Sequence, residues 1–207
     1  MAKQHHAELT LLHIVNTDTI YLFPEGGMVF DADIDANINA MKQRLDQLAQ
    51  KIQTDDQVHC SYIVKTGPTT STVVETAAEE AVDLIVLGTQ LESGLHEFLV
   101  GSTAYSILKH APCSVLTVPA DGQWVDFKKI LFPVRPEVSA LEKYDFSREI
   151  IQKTKAELIV LGVMEYFGKD SVESMDKETN RLVKTAKADG VSLKTVFHFC
   201  DSLASTI

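Results

Sequence analysis

Apolar residues form two kinds of run along this chain. Short, nearly continuous apolar runs of strand length alternate with longer segments in which apolar residues recur every three or four positions. The strand-length runs are residues 8–15, 58–64, 83–87, 114–118 and 129–134. Continuous apolar strands separated by helices are typical of a parallel sheet that is covered on both faces. The pattern therefore predicts an α/β fold with a doubly wound parallel sheet.

Three segments carry the helical spacing. Residues 34–52 place their apolar side chains along one face of a helix, and residues 70–81 form a second helical segment. Residues 103–110 form a third, for which Ser102 is the expected N-cap and Pro112 stands just beyond the end. Each helix lies between two strand candidates, as a parallel sheet requires.

The chain also repeats itself. Residues 7–15 (AELTLLHIV) resemble residues 156–164 (AELIVLGVM), which stand 149 positions later. Residues 61–73 resemble residues 195–207, 134 positions later. The repeats predict two tandem copies of one α/β unit.

Neither copy has all the strands of the other. We predict a first domain at residues 1–119 without an opening strand, a linker at 120–127, and a second domain at 128–207 without its closing strands. This organisation is what a fragment of a longer tandem protein would show. A further expectation is that the opening strand at 129–134 fills the gap in the first copy, within the chain or from a partner.

Composition and charge narrow the classes of partner. The chain has 207 residues and a net charge of −10, which disfavours binding to nucleic acids and to anionic membranes. No apolar run approaches the roughly 20 residues that span a bilayer. The three cysteines, Cys60, Cys113 and Cys200, are odd in number and widely spaced, so a disulfide framework is not expected. These features predict a cytoplasmic protein.

The segment from residue 88 to residue 103 is the main candidate for a binding site. Gly88 ends an apolar run, Gly94 and Gly101 follow, and Ser102 and Thr103 open a helix. Glycines allow backbone N–H groups to approach an anion, and a helix start supplies unpaired donors and a partial positive charge. The order of residues is that of a loop around a phosphate.

Other residues in the same segment oppose a phosphate. Leu91 is bulky, and Glu92 and Glu97 are negatively charged. One carboxylate 4 Å from a phosphate charge costs roughly 4 kcal/mol at an effective dielectric constant of about 20. Two interpretations therefore stay open: a phosphate site, or a turn that only caps the helix and packs the sheet.

Residues 83–119 resemble the closing segment of the universal stress protein family. The resemblance lies in DLIVLG at the end of a strand, in the glycine loop followed by Gly-Ser-Thr, and in HAPC before the last strand. The segments AELTLLHIV and KKILFPV resemble further strands of the family. The similarity covers nearly the whole chain and is stronger in the first copy.

The resemblance implies a fold and a mode of association. It implies a Rossmann-like, adenine nucleotide alpha hydrolase-like sheet with strand order 3-2-1-4-5, present here as two incomplete tandem repeats. It also implies self-association through the edge of the fifth strand, as a homodimer or as an intramolecular pseudo-dimer. Some members of the family bind ATP or AMP, whereas the residues alone identify no cofactor.

The resemblance also implies positions for a nucleotide. Val15 would lie beside the adenine, and the residues around the phosphates would be Gly88, Thr89, Gly94, Gly101, Ser102 and Thr103. Two positions depart from the nucleotide-binding members: Leu91 replaces a loop glycine, and Arg135 stands where the opening strand of those members ends in aspartate.

No catalytic or metal-binding residue is predicted. Cys113 enters an apolar strand, as buried structural cysteines do, and no serine elbow or Walker loop is present. His59 and Cys60 point to opposite faces of a strand, and no second ligand pair accompanies His198 and Cys200. We therefore expect a non-enzymatic stress-response or regulatory module with a degenerate nucleotide pocket. The alternative is an ATP- or AMP-binding switch.

Overall fold

The computed structural model divides the chain into two compact units. Unit 1 spans Met1–Gln123 and unit 2 spans Trp124–Ile207. The structure describes residues 1–16, 32–89, 101–119, 127–134, 140–165 and 169–200.

Helices and strands alternate in both units. Those of unit 1 are α1 (Ala2–His5), β1 (Leu9–Val15), α2 (Ala32–Asp56), β2 (Cys60–Thr66), α3 (Thr69–Glu79), β3 (Leu84–Thr89), α4 (Ser102–His110) and β4 (Ser114–Pro119). Those of unit 2 are β5 (Lys129–Val134), α5 (Ala140–Thr154), β6 (Glu157–Glu165), α6 (Lys169–Ala188) and β7 (Leu193–Cys200). The five apolar runs and the three helical segments of the sequence all appear as elements of the expected type.

The turn from β2 into α3 shows how local sequence fixes an element boundary. Gly67 has a φ of +140°, and a Cβ at this position would lie 2.9 Å from Oγ1 of Thr72. Pro68 follows with a φ of −63° and precedes the first residue of α3. Because only glycine adopts the first conformation without strain and proline is pre-set for the second, the chain turns here into the helix.

The four strands of unit 1 form two separate parallel pairs. Strand β1 pairs with β2, with Leu9 opposite Cys60, and β3 pairs with β4, with Leu84 opposite Ser114. Among the described strands no hydrogen bonds join the two pairs. Helix α3 packs against β1 and against α4, which connects β3 to β4.

The three strands of unit 2 form one parallel sheet in the order β5-β6-β7. Its core consists of large apolar side chains with relative exposures of 0–1%: Tyr144, Ile151, Leu158, Met175 and Leu182. The expectation that residues 129–134 complete the first copy is wrong. Strand β5 pairs with β6 in its own unit, where it buries Phe132 and Val134.

The strand registers also correct the internal alignment. Leu9 lies opposite Cys60, whereas Leu158, its counterpart 149 positions later, lies opposite Leu193. Strands β2 and β7 are therefore related by an offset of 133 residues, from Cys60 to Leu193, and not by 134. A shift of one residue exchanges the two faces of a strand, so the register set by backbone hydrogen bonds decides this point more reliably than a weak sequence match.

Candidate functional site

The candidate phosphate residues lie at both ends of one connection. Gly88 and Thr89 are the last two residues of β3, and Gly88 lies opposite Val118 of β4. Gly101 immediately precedes α4, of which Ser102 and Thr103 are the first two residues. Carboxyl ends of parallel strands and the helix starts that follow them are the usual ligand edge of an α/β sheet. Gly94, Leu91, Glu92 and Glu97 lie outside the described residues.

The start of α4 is capped by glycine and not by serine. Gly101 has φ −54° and ψ 154°, and its carbonyl accepts a hydrogen bond of 2.9 Å from the N–H of Tyr105. The expectation that Ser102 is the N-cap is therefore wrong by one residue, because Ser102 already lies in the helix. Among the described residues no side chain caps this end of α4, and Ser102 and Thr103 are both exposed. First-turn N–H groups of a helix have no partner within the helix and are free to face an anion.

Two of the glycines are not required by the packing around them. A Cβ on Gly88 or on Gly101 would meet nothing within 4 Å. Neither residue has a left-handed φ. The described structure would thus accept a side chain at both positions.

The residue expected beside the adenine lies in the other sheet of unit 1. Val15 ends β1, is half-buried, and accepts a hydrogen bond of 3.1 Å at its carbonyl from the N–H of Gly67. Strand β1 pairs only with β2 among the described strands, whereas Gly88 and Thr89 belong to the β3–β4 pair. The structure therefore does not bring Val15 and the phosphate residues together through one continuous sheet.

The cysteines of unit 1 are poor nucleophiles. The pKa of the Cys113 thiol is raised, and burial is the largest cause. A hydrogen bond from the Ile85 backbone partly offsets this increase, and the negative charge of Asp83 adds to it. Burial also raises the pKa of the Cys60 thiol. Because the thiolate is the reactive form, the raised pKa makes both thiols less reactive than an ordinary cysteine.

The described part of the chain contains neither a candidate metal site nor a candidate membrane-spanning helix. No group of three or more His, Cys, Asp or Glu side chains is placed to hold a metal ion in the described ranges. None of the described helices is both long enough and apolar enough to cross a membrane.

Unit 2 contains a polar cluster that the sequence analysis missed. The hydroxyl of Tyr144 donates a hydrogen bond of 2.9 Å to Oδ2 of Asp189, and Nε of Arg148 lies 3.0 Å from the same oxygen. The Arg148 guanidinium also lies 5.5 Å from the centre of the Tyr144 ring. The tyrosine and arginine stand four positions apart, which is the one signal in the sequence. The distant Asp189 gave no such signal.

This cluster has a structural role and is not suited to act as a catalytic acid or base. Tyr144 is fully buried, and burial is the largest cause that raises its pKa to about 12. The hydrogen bond to Asp189 and the negative charge of Asp189 raise it further. The phenol therefore remains protonated near neutral pH and ties α5 to the turn after α6.

Comparisons with known proteins agree with this architecture. A family model described as the universal stress protein family matches residues 1–119. Universal stress protein A homolog 2 of Coxiella burnetii is 31% identical over 125 residues, which are 59% of this chain and 81% of that protein.

Solved structures share the fold. A universal stress protein from Archaeoglobus fulgidus superposes with a TM-score of 0.71 at 18% identity, covering 96% of this chain and 70% of the other. A functionally unknown protein from Pseudomonas aeruginosa gives a TM-score of 0.60 at 17% identity, covering 95% and 66%. Because the family model matches more than half of the residues, the chain belongs to the universal stress protein family.

Proposed function

We propose that this chain is a non-catalytic stress-response or regulatory module whose nucleotide pocket is degenerate. The observation that carries the proposal is the division of unit 1 into two strand pairs. Val15 is the last residue of β1 in one pair, and Gly88 and Thr89 are the last two residues of β3 in the other. A nucleotide needs its adenosine and phosphate contacts at fixed positions relative to one another, and a continuous sheet is what normally supplies that rigidity.

The loop sequence supports the same proposal. Leu91 occupies the place of a glycine that would let the backbone approach a phosphate closely, and Glu92 and Glu97 add negative charge to the loop. Hydrogen bonds to a charged group contribute about 1.5–3 kcal/mol each. One carboxylate at about 4 Å costs an amount equal to one or two of these bonds.

A second candidate function is an ATP- or AMP-binding switch. It is favoured by the start of α4, where Ser102 and Thr103 are exposed and no side chain of the described ranges caps the first-turn N–H groups. The open space beside Gly88 and Gly101 also suits a ligand that approaches the backbone. In this function the phosphates would lie against residues 101–103.

The wider organisation of the molecule belongs to the same proposal. We infer that a complete copy has five strands in the order 3-2-1-4-5. The pairs β2-β1 and β3-β4 of unit 1 match the two outer pairs of that order, 3-2 and 4-5, and β7-β6-β5 of unit 2 matches its first three strands, 3-2-1. Self-association would use the outer edge of β4, which pairs only with β3 among the described strands. We also propose a cytoplasmic location, which the net charge of −10 and the lack of an expected disulfide framework favour.

Titration calorimetry of the full chain with ATP and Mg²⁺ tests the choice between the two functions. We expect no binding in the micromolar range for the natural sequence and a gain of binding in Leu91→Gly. Ser102→Ala and Ser106→Ala form a matched pair on α4, since only Ser102 lies in the first turn. Micromolar binding that Ser102→Ala abolishes and Ser106→Ala leaves intact would establish the nucleotide switch instead.

A further inference from the structure

The turn between α6 and β7 contains a chemically reactive pair, Asp189 and Gly190. In an Asp-Gly pair the backbone nitrogen of glycine can attack the side-chain carboxyl carbon of aspartate, because glycine has no side chain that shields this nitrogen. A C–N bond forms, and the carboxyl OH leaves with the amide proton as water. Water then opens the resulting cyclic imide at either carbonyl group, which gives aspartate or isoaspartate. The conversion needs no co-reactant other than water.

The attacking nitrogen is held by the turn itself. The N–H of Gly190 donates to the carbonyl of Lys187 at 3.1 Å, and the N–H of Val191 donates to the carbonyl of Ala186 at 3.0 Å. Gly190 has a φ of +72°, the left-handed conformation that ends many helices. Because the N–H of Gly190 already has a partner, its nitrogen reaches the aspartate side chain only after this turn opens.

The carboxyl group under attack is held by α5. Its Oδ2 accepts a hydrogen bond of 2.9 Å from the Tyr144 hydroxyl, and Nε of Arg148 lies 3.0 Å from the same oxygen. The main-chain carbonyl of Asp189 accepts a hydrogen bond of 3.1 Å from Nε2 of Gln152, and its N–H donates to Thr185 at 3.0 Å. Both the side chain and the main chain of Asp189 are therefore fixed, and the carboxyl carbon is kept away from the next nitrogen.

Unit 1 contains a similar turn without the reactive pair. At the offset of 133 residues that relates β2 to β7, Asp56 and Gln57 correspond to Asp189 and Gly190. Gln57 also has a left-handed φ, of +57°, so this turn does not require glycine. A Cβ on Gly190 would meet nothing within 4 Å. Gly190→Gln therefore places the residue of unit 1 in unit 2 and shields the attacking nitrogen.

We propose that Asp189-Gly190 is a latent modification site, at which aspartate converts to isoaspartate when its contacts with α5 open. Isoaspartate carries an additional methylene group in the main chain and a shorter side chain, so its carboxylate no longer fits the position that accepts from Tyr144. The conversion thus prevents the cluster from re-forming. The site leaves a covalent record that α5 and the turn after α6 have separated.

Peptide mapping by mass spectrometry measures the conversion during incubation of the full chain at neutral pH. Trypsin releases residues 188–194, and chromatography separates the aspartate and isoaspartate forms of this peptide, which have equal mass. A synthetic peptide of the same residues gives the rate without restraint. The folded chain should convert at least about tenfold more slowly than the peptide, because the turn must open first. Equal rates would overturn the proposal.

Two hydroxyl deletions on α5 form a matched pair. Tyr144→Phe removes a hydrogen bond to Asp189, so the conversion should become about fivefold faster. Thr154→Val removes a hydroxyl that donates only to the main-chain carbonyls of Ile150 and Ile151, and its rate should stay within about twofold of the natural rate. Equal acceleration by both variants would show that general loosening of unit 2 controls the reaction and would overturn the proposal.

Two further variants complete the test. Gln152→Ala should also accelerate the conversion, and because Gln152 is exposed, this variant carries the test if Tyr144→Phe does not fold. Gly190→Gln should remove the isoaspartate product, both alone and together with Gln152→Ala. Isoaspartate that persists at residue 189 in Gly190→Gln, or a Gln152→Ala rate equal to the natural rate, would contradict the proposed role of the pair and of its contacts.

Discussion

Strands β1 and β6 have closely similar sequences but different surroundings. Both contain the pattern Ala-Glu-Leu followed by apolar residues, and both pair in parallel with the next strand along the chain. Strand β6 has a second neighbour, β5, and its Leu158 and Val160 are fully buried. Strand β1 pairs with β2 alone among the described strands, and none of its residues is fully buried. The number of flanking strands, more than the sequence of the strand itself, sets how deeply an apolar run is buried.

The same contrast extends to the cores of the two units. The most deeply buried side chains of unit 2 are large, and they include Tyr144, Met175 and Leu182. The buried apolar side chains described in unit 1 include small ones, such as Ala49 and Ala77, and the side chain of Ile107 is the largest. Because burial of apolar surface is the main favourable term in folding, unit 2 should be the more stable of the two.

The largest expected effect comes from truncating matched leucines in the two strands. Leu158→Ala should lower the free energy of unfolding by about 2–5 kcal/mol, because it leaves a cavity in a closed core. Leu9→Ala should cost clearly less, about 1–2 kcal/mol, because Leu9 is only half-buried and solvent can fill the space. Urea unfolding followed by circular dichroism measures both values. Equal costs would show that β1 is as enclosed as β6.

Alkaline pH should weaken unit 2 through Tyr144. Its folded pKa is raised to about 12 from an ordinary value of 10, so its contribution is fully present below pH 10 and is lost as the pH rises toward 12. The full loss corresponds to about 3 kcal/mol. Tyr144→Phe should remove this part of the pH dependence, and it should also cost about 1 kcal/mol at neutral pH through the lost hydrogen bond to Asp189.

Urea midpoints of both proteins at several pH values between 8 and 12 provide the measurement. The natural protein and the variant differ only at residue 144, so the difference between the two curves isolates Tyr144. Parallel curves across this range would contradict the role given to the buried phenol.

Two glycines that lie within strands, one in each unit, should respond differently to an added methyl group. A Cβ on Gly162 would lie 2.6 Å from Cδ1 and 2.9 Å from Cε1 of Phe197, so Gly162→Ala should cost about 1–3 kcal/mol by overpacking. Gly88→Ala is the control, since nothing lies within 4 Å of a Cβ there, and its effect should stay within about 0.5 kcal/mol. Thermal unfolding of the two variants checks this, and a large cost for Gly88→Ala would reveal a close neighbour of β3.

Much of the fold could be predicted from the sequence because periodicity reports on burial. The strand predicted at 129–134 and the helix predicted at 103–110 differ from the observed elements by no more than one residue. Pairing partners could not be predicted in the same way. An apolar run such as LFPV is compatible with any open edge of suitable register, and hydrogen bonds between backbones, which every sequence can form, decide which edge it joins.

The candidate site was less predictable than the fold. Glycine and hydroxyl residues indicated the connection from β3 to α4. That the N-cap is Gly101 and not Ser102 depends on backbone geometry, which the sequence pattern does not specify. The Tyr144–Asp189 contact joins residues 45 positions apart, and no local pattern encodes such a contact. The residues at 91–97, on which the nucleotide question depends, lie outside the described part of the chain.

Amide hydrogen exchange in the free chain tests the central claim, that β1 is paired on one side only. We expect the amides of Thr10, Leu12 and Ile14 to exchange at least about tenfold faster than those of Leu11 and His13 in the same strand. The amides of β6 should be uniformly slow, including those of Ile159 and Leu161. Uniformly slow exchange along the whole of β1 would show that both edges are paired and would contradict the account.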